Sequence, residues 1–210
     1  MRIYSIVEGH GEVQAVPVLL RRLLDEYGVF NVDVPPAFRR RQSHLLTKEG
    51  LQLSVKLAKL QPDCSGIVVL FENEDDCPKS LGPKLSEWAK AVSHPIPCIV
   101  ALPHREYEAW FLASLNSLKG KRMIRENAIS PENPEYFRDA KGVLEECMEE
   151  GACYLETTDQ AAFSALFNLR EAYLNSRSFR HLVKAFGELI GGMGMPIREW
   201  PPASWQITEE

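Results

Sequence analysis

Residues 67–76 read Ile67-Val68-Val69-Leu70-Phe71-Glu72-Asn73-Glu74-Asp75-Asp76, an apolar run followed at once by a carboxylate-rich one. A continuous run of β-branched and other apolar residues is typical of a strand buried on both faces, as in the interior of a parallel sheet. In open parallel sheets, ligands bind beyond the carboxyl ends of the strands. This stretch therefore predicts both a fold class and the place where a functional site is expected.

The segments around this strand alternate between strand and helix patterns. Apolar runs predict further strands at 2–7, 29–34 and 98–102. Apolar residues at helical spacing predict helices at 12–27, 51–60, 81–92 and 106–118. Strands that alternate with helices imply right-handed crossovers. We therefore predict an α/β fold of Rossmann-like type, with a mainly parallel sheet flanked by helices.

The pattern changes after about residue 120. A loop with Pro131 and Pro134 is followed by three stretches with helical patterns, at 139–150, 157–173 and 178–190. Thr157 and Gln160 have the spacing of a capping box at the start of the second stretch. The sequence thus predicts an α/β part over 1–120 and a helical C-terminal part over 121–210, packed together as one unit.

Composition and charge narrow the class of protein. The chain has 210 residues, 24 Lys+Arg against 29 Asp+Glu and a net charge of −5, which is ordinary for a globular protein. A net negative charge argues against a nucleic-acid binder that relies on a bulk positive field. It leaves open an enzyme that meets nucleic acid through local basic patches and metal ions.

Cysteine usage and the N-terminal residues bear on the compartment. Five cysteines without a Cys-x-x-Cys pair argue against a disulfide framework and a zinc ribbon. Glu8 stands too early for a signal peptide, and every apolar run is much shorter than a membrane span. We therefore expect a cytoplasmic protein with reduced thiols and no membrane association.

Carboxylates follow three of the predicted strands. Glu8 ends the first strand, with Glu12 one turn later. The run at 72–76 follows the strand at 67–71, and Glu106 and Glu108 follow the strand at 98–102. Like charges this close repel each other unless a cation lies among them, and carboxylate oxygens suit Mg²⁺ or Mn²⁺. A single acidic run after a strand is usually a solvated loop, but three such runs at one sheet edge favour a metal site.

Several motifs resemble a known family. They are Val7-Glu8-Gly9-His10-Gly11-Glu12, Asp75-Asp76-Cys77-Pro78, Arg105-Glu106-Tyr107-Glu108-Ala109-Trp110-Phe111-Leu112-Ala113-Ser114 and Ser178-Phe179-Arg180. The first motif and Glu72-x-Glu74 resemble the TOPRIM fold of topoisomerases, primases and OLD-type nucleases. The whole set is similar to an uncharacterised TOPRIM-like family of bacterial proteins, the DUF4276 type, over nearly the full chain.

The resemblance implies a set of functional residues. It implies that Glu8, Glu72 and Glu74 are catalytic and hold Mg²⁺ or Mn²⁺, with Asp76, Glu106 and Glu108 as ligands of a second ion or supports of the first. TOPRIM proteins carry Asp-x-Asp where this chain has Glu72-x-Glu74. The extra methylene moves each carboxylate by about 1.5 Å. Because Mg²⁺ demands near-ideal octahedral geometry, metal binding can survive here without efficient chemistry.

Basic and small residues supply candidates for substrate binding. His10 lies between two glycines and Arg105 stands beside the acidic residues, so both are candidates for contacting a phosphate group. His10 is more simply explained as an exposed turn residue. Two basic clusters can grip a phosphate backbone or can simply be solvated faces: Arg39-Arg40-Arg41 with His44, and Lys119, Lys121, Arg122 and Arg125.

These residues bear on three candidate functions. The first is a metal-dependent phosphodiesterase or nuclease of TOPRIM type acting on DNA or RNA. The second is a weak or inactive TOPRIM-like accessory protein that partners an AAA or OLD-type ATPase in bacterial defence or DNA processing. The third, a phosphatase with an aspartyl nucleophile, is disfavoured because Glu72 occupies the position that the aspartate would need.

Overall fold

The computed structural model describes residues 1–72, 78–196 and 199–205. Within these residues, four strands form one sheet in the order β2-β1-β3-β4, and every neighbouring pair is parallel. The strands are β1 (Arg2–Val7), β2 (Phe38–Arg39), β3 (Cys64–Leu70) and β4 (Cys98–Ala101). The predicted α/β class with a parallel sheet is confirmed.

Helices cover both faces of this sheet. They are α1 (Glu12–Tyr27), α2 (Gln42–Leu45), α3 (Lys48–Lys59), α4 (Pro78–Ser93), α5 (Ala109–Leu112), α6 (Ala140–Glu146), α7 (Glu156–Leu166), α8 (Leu169–Asn175) and α9 (Arg177–Gly192). Three 3-10 turns lie at Leu115–Leu118, Pro134–Tyr136 and Ala203–Trp205. No helix in the described ranges combines the length and apolarity needed to span a bilayer.

Side chains of the strands alternate between two hydrophobic clusters. Ile3 and Val7 of β1 pack into the larger cluster with α1, α7 and α9, whereas Tyr4 and Ile6 pack into the smaller one with α3 and α4. This is the two-residue period of a strand buried on both faces. The larger cluster includes Trp110 from the α/β part together with residues of α7 and α9.

The strand predicted at 29–34 is wrong. Only Asp33 of this segment pairs with β1: the Ile3 N–H donates to the Asp33 carbonyl at 3.0 Å, and the Asp33 N–H donates to the Met1 carbonyl at 3.1 Å. Pro35 and Pro36 have no backbone N–H, so they interrupt the pairing. The strand resumes beyond them as β2, which is only two residues long.

Two predicted helices are each broken. The segment predicted at 106–118 forms α5 and a separate 3-10 turn, and that at 157–173 forms α7 and α8. The second break has a local cause, because the Asn168 side chain accepts from the Glu171 N–H at 2.9 Å and so starts a new helix. Gln160 does not close the predicted capping box, since its side chain donates instead to Glu108.

A half-buried carboxylate, that of Glu135, fixes the start of α9. Glu135 accepts from the Ser178 N–H at 2.8 Å, from the Arg177 N–H at 3.1 Å and from the Ser176 hydroxyl at 2.8 Å. Ser178 in turn accepts from the Trp110 indole N–H at 2.8 Å. Burial acts to raise the pKa of Glu135, but the hydrogen bonds from Ser178, Ser176 and Arg177 outweigh it and lower the pKa below its ordinary value. The helical part is thereby tied to α5 of the α/β part.

Replacing Glu135 with Gln is expected to lower the free energy of unfolding by about 1–3 kcal/mol at neutral pH, because charge-assisted hydrogen bonds to α9 are lost. A carboxyl group with a lowered pKa stabilises the fold above its unfolded-state pKa, and this contribution disappears as the pH falls through the folded-state pKa. The difference between wild type and Glu135→Gln should therefore shrink in acid. Denaturant titrations at neutral and acid pH measure it, with the exposed Glu132→Gln as control; equal effects of the two variants would contradict the assignment.

Candidate functional site

Three strand ends bring carboxylates to one edge of the sheet. Glu8 follows β1 directly, Glu72 lies two residues beyond β3, and the loop after β4 carries Glu106 and Glu108. Because β1, β3 and β4 are parallel neighbours, their carboxyl ends meet at this edge. The other two predicted ligands, Glu74 and Asp76, lie outside the described residues.

Glu12, the first residue of α1, closes the turn after β1. Its Oε2 accepts from the N–H of Glu8 at 3.0 Å and from that of Gly9 at 2.8 Å. The residue is 1% exposed, and its Oε1 is buried without a hydrogen-bond partner among the described residues. Burial is the main cause that raises the pKa of Glu12 to about 8, and the charges of Glu108 and Glu8 add to it. The sequence places Glu12 in the region of the predicted site but gives it no role as a metal ligand.

Glu72 connects the end of β3 to the loop after β4. Its Oε1 accepts from the Tyr107 N–H at 2.9 Å. Burial, the largest cause, and the nearby carboxyls of Glu12 and Glu108 together raise the pKa of Glu72 to about 9, although the hydrogen bond from Tyr107 acts to lower it. Glu12, Glu72 and Glu108 are therefore close enough to affect one another's ionisation, as the convergence of strand ends predicts.

Glu106 and Glu108 are both bound to the helical part. Glu108 is only 3% exposed. Its Oε1 accepts from the Tyr154 hydroxyl at 2.7 Å and from the Gln160 amide at 3.1 Å. Glu106 Oε2 accepts from the Lys141 N–H at 2.8 Å, at the start of α6. Burial raises the pKa of both carboxyls. Their role as metal ligands stays a prediction.

Residues of α6 and α7 also reach the site. Glu156, the first residue of α7, has Oε1 at 3.4 Å from the Gly11 N–H and Oε2 at 3.4 Å from Lys141 Nζ. Gly11 packs so closely that a Cβ there would lie 2.5 Å from the Glu156 carbonyl oxygen and 2.6 Å from Gln160 Oε1. The start of α7 therefore forms one wall of the turn that carries Glu8.

The two predicted substrate-binding residues differ in setting. His10 is exposed at the tip of the turn after β1. Arg105 has a φ of 68°, a left-handed conformation that is strained for a residue with a side chain. Its Nε and the Nδ1 of the preceding His104 are buried, with no hydrogen-bond partner in the described part of the chain. Backbone strain and buried polar atoms without partners in the described residues are features of a binding segment, and His104 joins the candidates on this ground.

The described carboxylates have the oxygen atoms that a hard cation prefers, but they are not arranged around a common point. Over residues 1–72, 78–196 and 199–205, no group of three or more His, Cys, Asp or Glu side chains is arranged to hold a metal ion. Glu12, Glu72, Glu106 and Glu108 instead accept hydrogen bonds from protein donors. The unpartnered, buried Oε1 of Glu12 among these oxygen donors is the observation that fits a hard divalent cation.

Replacing Gly11 with Ala is expected to destabilise the protein by about 1–3 kcal/mol, because the added methyl overlaps backbone of α7. The φ of −65° at Gly11 is one that alanine adopts readily, so the effect isolates the close packing. Gly82→Ala in α4 is the matched control: no atom of the described residues lies within 4 Å of the added methyl, and helix propensity favours the change. Thermal unfolding of both variants measures this, and a neutral Gly11→Ala would argue against close packing of α7 on the turn.

The raised pKa values of Glu12 and Glu72, about 8 and about 9, predict how stability varies with pH. A carboxyl whose pKa is raised on folding binds more protons in the native state, so metal-free stability should fall as pH rises from about 5 towards these values. Glu12→Gln mimics the protonated acid and should reduce the slope by up to about 1.4 kcal/mol per pH unit. Denaturant titrations across this range test it, with the exposed Glu26→Gln of α1 as control; an unchanged slope in Glu12→Gln would contradict it.

Comparisons with known proteins give one match. A family model described as Domain of unknown function (DUF4276) matches residues 7–186. No curated protein and no solved structure matches the chain significantly. The family model covers most of the chain, from the last residue of β1 into α9, and so includes all the described site residues. The chain therefore belongs to the DUF4276 family.

Proposed function

We propose that this protein is a divalent-metal-dependent phosphodiesterase of TOPRIM type that acts on nucleic acid. The observation that carries the proposal is the convergence of Glu8, Glu12, Glu72 and the 106–108 loop at the carboxyl edge of a parallel sheet. Carboxylate oxygens concentrated at that edge suit Mg²⁺ or Mn²⁺. Open α/β sheets also bind their substrates and cofactors at that edge. The Val7-Glu8-Gly9 motif supports the TOPRIM relationship.

The proposed ligands are Glu8, Glu72 and Glu74, with Asp76, Glu106 and Glu108 for a second ion; Glu74 and Asp76 enter on sequence alone. A divalent ion held there would offset the repulsion among the carboxylates and neutralise charge on a phosphodiester in the transition state.

The protein's own groups position this site. Glu12 holds the Glu8–Gly9 backbone through two N–H groups, and the Tyr107 N–H orients the Glu72 carboxyl. Arg105 carries a guanidinium Nε without a hydrogen-bond partner among the described residues and is the residue best suited to orient a substrate phosphate. His10, exposed at the same turn, is the second candidate for a phosphate contact.

A specific observation favours a second candidate function. The carboxylates of the described part accept hydrogen bonds from the protein itself, and Glu72-x-Glu74 replaces the Asp-x-Asp of TOPRIM proteins. Both features suit a weakly active or inactive accessory protein that works with an AAA or OLD-type ATPase. In that case the site contributes to regulation or assembly, and the ATPase drives the process.

Plasmid nicking in Mg²⁺ or Mn²⁺ tests the phosphodiesterase. We expect wild type to nick, and Glu8→Gln and Glu72→Gln each to lower the rate by about 100-fold or more, because loss of a metal-site carboxylate weakens both binding and activity. Glu132→Gln, far along the chain and exposed, is the control. The unfolding temperature of wild type should rise with added Mn²⁺, by an amount corresponding to about 2.7 kcal/mol at 100 times the dissociation constant.

The outcomes separate the two candidate functions. Absence of cleavage in either metal on plasmid, single-stranded DNA and RNA would exclude the phosphodiesterase. Metal binding without cleavage, together with co-purification of an ATPase, would support the accessory function. Strong cleavage by the isolated chain would exclude it.

A further inference from the structure

A run of arginines lies next to the carboxylate edge. β2 ends at Arg39, which is in register with Val7 of β1, and the Arg40 N–H donates to the Val7 carbonyl at 2.7 Å. Glu8 is the next residue after Val7, so the topology places Arg39, Arg40 and Arg41 beside the proposed site. We call these three residues, together with His44 of α2, the basic strip.

The basic strip is held by contacts on both sides. The Gln42 side chain donates to the Glu72 carbonyl at 3.0 Å, which joins the strip to the end of β3. Leu45 of α2 is fully buried in the cluster beneath α3. The Thr47 hydroxyl donates to the His44 carbonyl at 2.9 Å, and Thr47 also caps α3. The strip is therefore a positioned surface at the rim of the site.

The charged side chains of the basic strip form no ion pair within the described part of the protein. Arg39, Arg41 and His44 are exposed, and the Arg40 guanidinium donates to the Arg39 carbonyl at 2.9 Å and to no carboxylate among the described residues. No ion pair joins the strip to a carboxylate in the described ranges, whereas Arg2, Arg122 and Lys141 are each paired with an acidic residue. The arginines of the strip are thus available to a ligand.

The second basic cluster is less suited to that task. Lys121 donates to the Ser117 carbonyl at 2.8 Å, Arg122 pairs with Asp159, and Arg125 donates to the Glu146 carbonyl. These contacts direct the positive groups to the protein's own surface. Of the two clusters found in the sequence, only the basic strip lies next to the carboxylate edge with its charges unpaired in the described structure.

We propose that the basic strip binds the phosphate backbone of the nucleic-acid substrate beside the bond to be cleaved. The inference rests on the proposed function for the meaning of the neighbouring site, but its binding step can be measured separately. Arginine binds phosphate through two parallel hydrogen bonds, and a row of arginines matches the repeated charge of a backbone. An acidic site repels a polyanion, so a positive rim is needed to bring one within reach.

The test compares two variants that each remove two positive charges. Arg39→Gln/Arg41→Gln alters the basic strip. Lys56→Gln/Lys90→Gln alters exposed residues near the carboxyl ends of α3 and α4. These helix ends lead into the amino ends of β3 and β4, on the side of the sheet away from the carboxylates. Both variants are first checked for unchanged thermal unfolding.

Binding is measured by fluorescence anisotropy in EDTA, so that no cleavage takes place. The probes are single-stranded and duplex oligonucleotides of about 30 units, which exceed the usual site size of single-strand binders. Each phosphate contact contributes about 0.7–0.9 to the slope of log affinity against log salt concentration. The arginine variant should therefore lower that slope by about 1.4–1.8 and weaken binding, while the lysine variant should match wild type.

Each result decides the inference. Equal losses in the two double variants, an unchanged arginine variant, or no binding by wild type would overturn it. Binding of polyglutamate at matched charge as tightly as the oligonucleotides would also overturn it in favour of an acidic protein partner. Selective loss in the arginine variant supports it even if wild type fails to nick plasmid, and nicking that persists in that variant with unchanged binding overturns it while the phosphodiesterase stands.

Discussion

The carboxyl edge of the sheet depends on burying several acidic side chains within one low-dielectric region. Removal from water is the main cause that raises the pKa values of Glu12 and Glu72 to about 8 and about 9, and the neighbouring carboxyls add to it. The fold offsets this cost with N–H and O–H donors from Gly9, Tyr107 and Tyr154. These donors lower the cost of burying the carboxyls, because a buried polar group without a hydrogen-bond partner is destabilising.

This constraint explains why the helical part packs where it does. Two of the donors that satisfy Glu108, the Tyr154 hydroxyl and the Gln160 amide, come from residues beyond 150. Gly11 leaves just enough room for α7 to approach the turn after β1. The helical part thus completes the electrostatics of the sheet edge as well as its hydrophobic cover.

Sequence patterns located the elements whose cause is local. Strands buried on both faces show as continuous apolar runs, so β1, β3 and β4 could be predicted, and the carboxylates at their ends followed from parallel topology. β2 was misplaced because a two-residue strand carries no periodicity. Glu156 and Gln160 reach the site only through the packing of α7 against α1, and no local pattern marks such a contact. The strained Arg105 likewise shows no signal in sequence, since its backbone angle is imposed by the loop that holds it.

The short edge strand β2 has one more consequence. An edge strand offers unpaired backbone groups to other chains, and a long, flat, apolar one promotes edge-to-edge aggregation. Here that edge is two residues long and continues into arginines, so an incoming strand would find little backbone to pair with and several like charges to repel a second copy. At the other edge, all four residues of β4 are buried. The same arginines that flank the carboxylates therefore help to keep the sheet from growing beyond a single molecule.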